Sequence, residues 1–232
     1  MSNHIVTKAI VLSRRDYQEA DRILTVITPD HGKLHLIAKG VRRPKSKLAG
    51  GIELFSLSDL TLLPGRSDLK TLTSSRAIEH YGEIVKDLDR TMLGYELLKQ
   101  CNRHVEDGAE SVYFDIIHGA IKGLNNDSLS PRLIELWFGM QVLNASGHAP
   151  NLLSDVHGTA LQQDQEYHFD TTAMGLRLQV GAPLGAPHIK VLRLAQSVQD
   201  PAILGQVKNV EQYLQDLIEP ARTMVRLHLT HN

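Results

Sequence analysis

A single cysteine, Cys101, in 232 residues excludes an internal disulfide and any zinc cluster built from cysteines. It falls among apolar positions at helical spacing, where a thiol packs as a small hydrophobe. Long apolar runs are missing as well. Stretches such as Ile10 to Leu12 and Leu34 to Ala38 fall far short of the roughly 20 residues that cross a bilayer, so no membrane partner is expected. The opening Met1-Ser2-Asn3-His4 leads directly into a strand-like run, without the basic start, apolar middle and small-residue cleavage site of a secretory signal; a cytoplasmic location is expected. Phosphate-cradling glycines are lacking too. The segment Gly40-Val41-Arg42-Arg43-Pro44-Lys45-Ser46 has no flanking glycine pair, and its proline removes an amide, so nucleotide hydrolysis is not indicated.

Net charge is nearly absent, formally −1, but its distribution is uneven. Residues 1–80 carry 13 lysines and arginines against 8 acids, and the remainder carries 12 against 18. Between Asp30 and Glu53 there is no acid at all, while Lys33, Lys39, Arg42, Arg43, Lys45 and Lys47 lie in that gap. Such a run is either a solvated surface loop or a track for phosphates, and depletion of acids favours the track. Arg14 and Arg15 extend it, with Arg22 beyond, although Asp16, Glu19 and Asp21 stand among them. Aromatic residues are scarce here. Tyr17 and Phe55 are the two in the first 80 residues, and Phe55 is expected in the core, so binding to nucleic acid would be dominated by phosphate contacts and sensitive to salt.

The first 80 residues read as short strands, Thr7 to Ser13, Arg22 to Thr28, Lys33 to Lys39, Phe55 to Leu63 and Leu69 to Ile78, separated by turn residues. Five strands at this spacing suggest a small barrel. In the third, Leu34, Leu36 and Ala38 alternate with Lys33, His35 and Lys39, with Ile37 the one break on the polar side, which makes one face apolar and the other basic. In the fourth, apolar parity switches between Phe55/Leu57 and Leu60/Leu62, which calls for a bulge near Ser58.

Beyond Glu79 the period becomes helical. Leu88, Met92, Tyr95, Leu98, Cys101 and Val105 form one apolar stripe, and Val112, Ile116, Ala120, Ile121 and Leu124 another. Ser130-Pro131 caps a third helix. With Leu133, Ile134, Leu136, Trp137, Phe138, Met140 and Leu143 apolar on two sides, that helix is expected at the centre of a bundle. From Gly147 to Gly185 the period is lost, and a small hairpin is expected from Tyr167 to Val180. Helical patterning returns at His188 to Gln196, after Pro201, and from Val210 to Val225, where Pro220 is expected to kink the helix. The economical reading is α+β: a barrel domain over 1–80 and a helical bundle over 81–232 with an irregular insert at about 148–186.

Other polar clusters carry less. Asp87/Asp89 and Glu106/Asp107 adjoin helix ends, where carboxylates cap or face water. His148, His157 and His168, with Asp155, fall in the insert, and His228 and His231 lie near the C-terminus. None has the spacing of a tight ligand motif, and no metal or cofactor is assigned.

The run from Ala9 to Gly65 resembles the N-terminal domain of the RecO family, including Tyr17-Gln18-Glu19, Thr28 with Gly32, and Ala38-Lys39-Gly40-Val41-Arg42-Arg43 before Lys45-Ser46. The likeness continues through the segment from Leu69 to Tyr81 and through Gly147-His148-Ala149-Pro150-Asn151-Leu152. It implies an OB-fold barrel joined to a helical bundle, and a recombination mediator without enzymatic turnover. Such a mediator binds single- and double-stranded DNA, anneals complementary strands, contacts RecR and single-stranded-DNA-binding protein, and assists RecA loading. Many RecO-like proteins carry two CxxC pairs on a zinc-binding insert; here the first place reads Asp155-Val156-His157-Gly158 and the second has no cysteine either. A protein-interaction scaffold with an incidental basic loop is the alternative.

Overall fold

The computed structural model describes residues 4–65, 68–108 and 111–229. It divides into two compact units, Met1–Asn125 and Asn126–Asn232. The change from strand to helix near residue 80 and the division between the units are therefore separate boundaries.

In the first unit, β1 (Ile5–Tyr17), β2 (Asp21–Thr28), β3 (Gly32–Ala38), β4 (Ser56–Leu63) and β5 (Leu69–His80) form a closed barrel in the order β1-β2-β3-β5-β4. Neighbours are antiparallel except β3 and β5, whose parallel pairing of His35 to Ile37 with Leu69 to Thr71 contributes to closure. This is the OB fold. Alternation fills the interior: Ala9, Val11, Leu24, Val26, Leu34, Leu36, Ala38, Leu60, Leu62 and Leu72 make one buried cluster, joined by Val41 and Ile52 from the connection between β3 and β4.

The parity switch in β4 has a different cause from the one expected. Register between β4 and β1 runs unbroken from Leu57 opposite Ile10 to Leu62 opposite Ile5, so β4 holds no extra residue there. Leu57 is instead buried on the outer face, in register with Ile10, which itself pairs with the buried Ile27. The irregularity opposite Leu57 and Ser58 lies in β5, where pairing passes from Glu79 to Ala77 and skips Ile78. A bulge does sit beside Ser58, but on the partner strand.

Two helices belong to the same unit, α1 (Leu88–His104) and α2 (Val112–Leu124), packing near β1 and β2 respectively. Asp87 caps α1 by accepting from the Arg90 amide. The buried side of α1 is Gly94, Leu97, Leu98 and Cys101, which corrects the expected stripe: Leu88, Met92 and Tyr95 are 74%, 62% and 46% exposed. Close approach sets this rotation. A β-carbon on Gly94 would lie 2.7 Å from the Phe55 ring, so the helix backbone rests against that buried ring; Leu88 and Met92 turn outward, and Tyr95 keeps one side of its ring against Phe55 at 5.2 Å. Burial pushes the Cys101 thiol up to about 12, so it stays protonated and inert.

The second unit is built on α3 (Pro131–Ala145), whose apolar residues on both sides are buried. It packs against α4 (Ala186–Ser197), α5 (Pro201–Gly205) and α6 (Val210–Leu229). Trp137 donates from Nε1 to the Val198 carbonyl at 2.9 Å, and Gln141 Nε2 reaches the Ala195 carbonyl at 2.7 Å, which satisfies backbone acceptors at the end of α4. The helix α6 continues on both sides of Pro220. Between α3 and α4 the insert forms a three-stranded sheet, β6 (Asn151–Asp155), β8 (Gly175–Leu178) and β7 (Tyr167–Asp170) in that order, of which β7 and β8 are the expected hairpin. Among the described residues no helix is long and apolar enough to cross a membrane.

Candidate nucleic-acid interface

The connection leaving β3 is held by backbone rather than by its charges. Gly40, at φ +63°, turns the chain in the left-handed region that glycine adopts without strain, and its amide donates to Asp21 Oδ1 at 2.7 Å. The Arg42 amide donates to the Ala20 carbonyl at 2.9 Å, the Arg43 amide to Gly40, and the Ser46 amide to Arg43. Between them Val41 is buried in the barrel cluster. The loop is thereby tied to the turn joining β1 and β2, and its long cationic side chains need not take part in holding it.

Lys39, Arg42, Arg43, Lys45 and Lys47 are all exposed on this loop. Gln18, Glu19, Ala20, Asp21, Lys39, Gly40 and Arg43 line an open cleft of about 610 Å³. Arg43 folds back across Gly40: a β-carbon there would stand 3.6 Å from its Cδ and 3.7 Å from its Nε.

Ion pairing sorts the eight cations singled out by sequence into two groups. Arg14 Nη1 lies 2.6 Å from Glu53, and Arg42 Nε lies 3.4 Å from Asp16, which also holds Arg22 at 2.9 Å. The hydrogen bond from Arg22, with the charge of Arg42 and Arg14 behind it, keeps the Asp16 carboxyl below its ordinary value against a smaller opposing effect of burial. Lys33 is furthest from a free charge. Its side chain is only 12% exposed, and its Nζ lies 3.5 Å from Asp107 and donates to the Asn102 carbonyl at 3.3 Å. It therefore caps the C-terminal end of α1, where a cation is favoured. Arg15, Lys39, Arg43, Lys45 and Lys47 form no ion pair among the described residues. The acid-free stretch of sequence is thus partly closed in space by Asp16 and Asp107, Arg14 outside it is taken by Glu53, and five cations remain available to a phosphate.

The insert histidines do not converge. His157 Nε2 accepts from Arg177 at 3.1 Å, whereas His168 Nδ1 is buried without a hydrogen-bond partner among the described residues. No three histidine, cysteine or acidic residues among the described residues are grouped to hold a metal. His228 stacks near His148 at 5.1 Å; His231 lies outside the described residues.

Comparison with known proteins bears on the same region. Residues 1–81 match the family model described as Recombination protein O N terminal. A DNA repair protein RecO of Roseiflexus sp. is 31% identical over 213 residues, covering 87% of this chain and 73% of the relative. Another of Dehalococcoides mccartyi is 28% identical over 232 residues, covering 96% and 90%. A third, of Moorella thermoacetica, is 35% identical over 146 residues, covering 62% and 54%.

Proposed function

The chain belongs to the RecO family of DNA repair proteins, and from that premise we propose that its barrel binds the phosphate backbones of single- and double-stranded DNA and promotes annealing of complementary strands. The observation that carries this reading is the set of cations without ion pairs among the described residues, Lys39, Arg43, Lys45 and Lys47 on a loop of the OB barrel fixed by its backbone, with Arg15 on β1. Two strands repel through their phosphates, and cations that neutralise both lower the barrier to base pairing. Base pairing then supplies the free energy, so the role requires neither nucleotide hydrolysis nor a catalytic group. Assistance to RecA loading, together with RecR, on strands coated by single-stranded-DNA-binding protein is part of the same proposal and rests on family resemblance.

The test is binding and annealing of labelled oligonucleotides across a salt series, with the protein carrying Lys39→Ala, Arg43→Ala, Lys45→Ala and Lys47→Ala together. Each phosphate contact contributes about 0.9 to the logarithmic salt slope on duplex and about 0.7 on single strands. The slope should fall by about 3.6 on duplex if each of the four meets a phosphate, affinity at low salt should drop on the order of 100-fold or more, and annealing should slow in parallel. Unaltered slope and annealing in the folded variant would refute the proposal.

A second reading, contact with a protein partner such as RecR, has its own observation. The face of α1 bearing Leu88 and Met92, with Val85 before it, is apolar and exposed, an arrangement that often marks an interaction surface. Leu88→Ser with Met92→Ser should weaken RecR capture while leaving the salt slope on DNA unaltered; intact capture would remove this face from consideration.

A further inference from the structure

The zinc that resemblance attributes to the insert can be tested against the residues that stand there. After β6, Asp155 Oδ1 accepts from the His157 and Thr159 amides at 2.9 and 2.8 Å. Between β7 and β8, Asp170 Oδ1 accepts from the Thr172 and Ala173 amides, both at 3.0 Å. Each turn is closed on a carboxylate oxygen, and neither contains a cysteine, the chain's only one being Cys101.

A side chain already carries positive charge between the two turns. Arg177, on β8, donates from Nε and Nη2 to Asp170 Oδ2 at 3.1 and 2.6 Å, and from Nη1 to His157 Nε2 at 3.1 Å. A guanidinium has no acceptor, so His157 Nε2 must be the unprotonated nitrogen, and its lone pair is occupied. Both oxygens of Asp170 are occupied as well. The hydrogen bonds from the Ala173 and Thr172 amides and from Arg177 hold the Asp170 carboxyl below its ordinary value despite an opposing contribution from burial. A divalent cation would find its nitrogen and oxygen donors spent and a fixed positive charge beside them. These residues do not fit zinc.

We propose that Arg177 is the cation of this insert: its guanidinium clamps the turn at Asp155–Thr159 to the turn at Asp170–Ala173 and makes the insert's fold independent of metal. A planar fork suits this role because it binds two acceptors in fixed directions, here a carboxylate on one side and an imidazole on the other. The main-chain bond from the Val156 amide to the Leu176 carbonyl, 2.8 Å, brings the first turn beside β8 and leaves the clamp only a short span to bridge. Chelators and thiol oxidants, which undo an insert built on thiolates and zinc, have no group to attack here.

Hydrogen exchange on the full-length protein tests this. In the unaltered protein, peptides covering 155–160 and 170–175 should exchange at the same rate with EDTA, with added zinc sulfate, and without either. Arg177→Met should speed exchange about tenfold or more in both peptides while the barrel strands keep their rates, and Arg177→Lys should recover part of the protection at Asp170. Should Arg177→Met not fold, Asp170→Asn gives the same reading, since the amide side chain still accepts from Thr172 and Ala173 but loses the charge. Four results overturn the proposal: unaltered rates in the variant, loosening confined to one turn, loss of protection in EDTA, or gain of protection with zinc.

Discussion

The loop leaving the barrel at Lys39 and the insert around Arg177 solve one problem in opposite ways. Both are irregular segments rich in polar residues, and both are held in place. In the barrel loop the holding is done by main-chain hydrogen bonds from Gly40 and Arg42 and by the buried Val41. Its lysines and Arg43 are left without ionic partners among the described residues. In the insert the cation itself is the tie, with Arg177 spent on Asp170 and His157. A charge that maintains a loop is not available to a ligand, and a loop that offers its charges must be maintained by something else.

The contrast can be broken most severely at Val41. Val41→Ala should cost about 2 kcal/mol in a denaturant titration, because a side chain in a closed barrel leaves a cavity its neighbours fill only in part. DNA affinity should fall severalfold as the loop loosens, yet the salt slope should hold because every cation is still present. A slope that fell with affinity would mean that the anchoring matters less than charge placement.

Lys33 sharpens the comparison from the other side, as a barrel residue that behaves like Arg177. Lys33→Ala should lower stability by about 1 kcal/mol through loss of its bond to the α1 carbonyl, while the salt slope on DNA stays unaltered; a slope reduced by about 1 would return Lys33 to the interface.

The smallest effect is expected at Asp16, where a paired cation can be released. Asp16→Asn removes the acid shared by Arg22 and Arg42 and should tighten DNA binding about two- to threefold at low salt, fading as salt screens exposed charges. No gain at low salt would show that Arg42 lies off the path of the phosphates.

Much of the fold was legible in the chain. Period-two alternation in β3 and the period of 3.6 in α3 reflect burial on one face and on nearly all faces, and each appears in composition before any contact is known. The hairpin of the insert was legible for the same reason. Less legible was α1, because Leu88, Met92 and Tyr95 satisfy a helical stripe as well as Leu97 and Cys101 do. Only the approach of Gly94 to Phe55, separated by 39 positions, selects which arc is buried. The parity switch at Leu57 was visible, but its origin in a second buried row, Leu57 beside Ile10 and Ile27, depends on strand register across the sheet.

The candidate interface shows the same division. The sequence by itself determined that this protein has a basic segment free of acids, a barrel to carry it and no cysteine framework, since these follow from residue type and local spacing. Which of those cations are free was decided only by tertiary structure. Glu53, Asp107 and Asp16 reach Arg14, Lys33 and Arg42 across gaps of 39, 74 and 26 residues. Electrostatic pairing depends on distance in space, and a folded chain sets that distance independently of distance along the sequence.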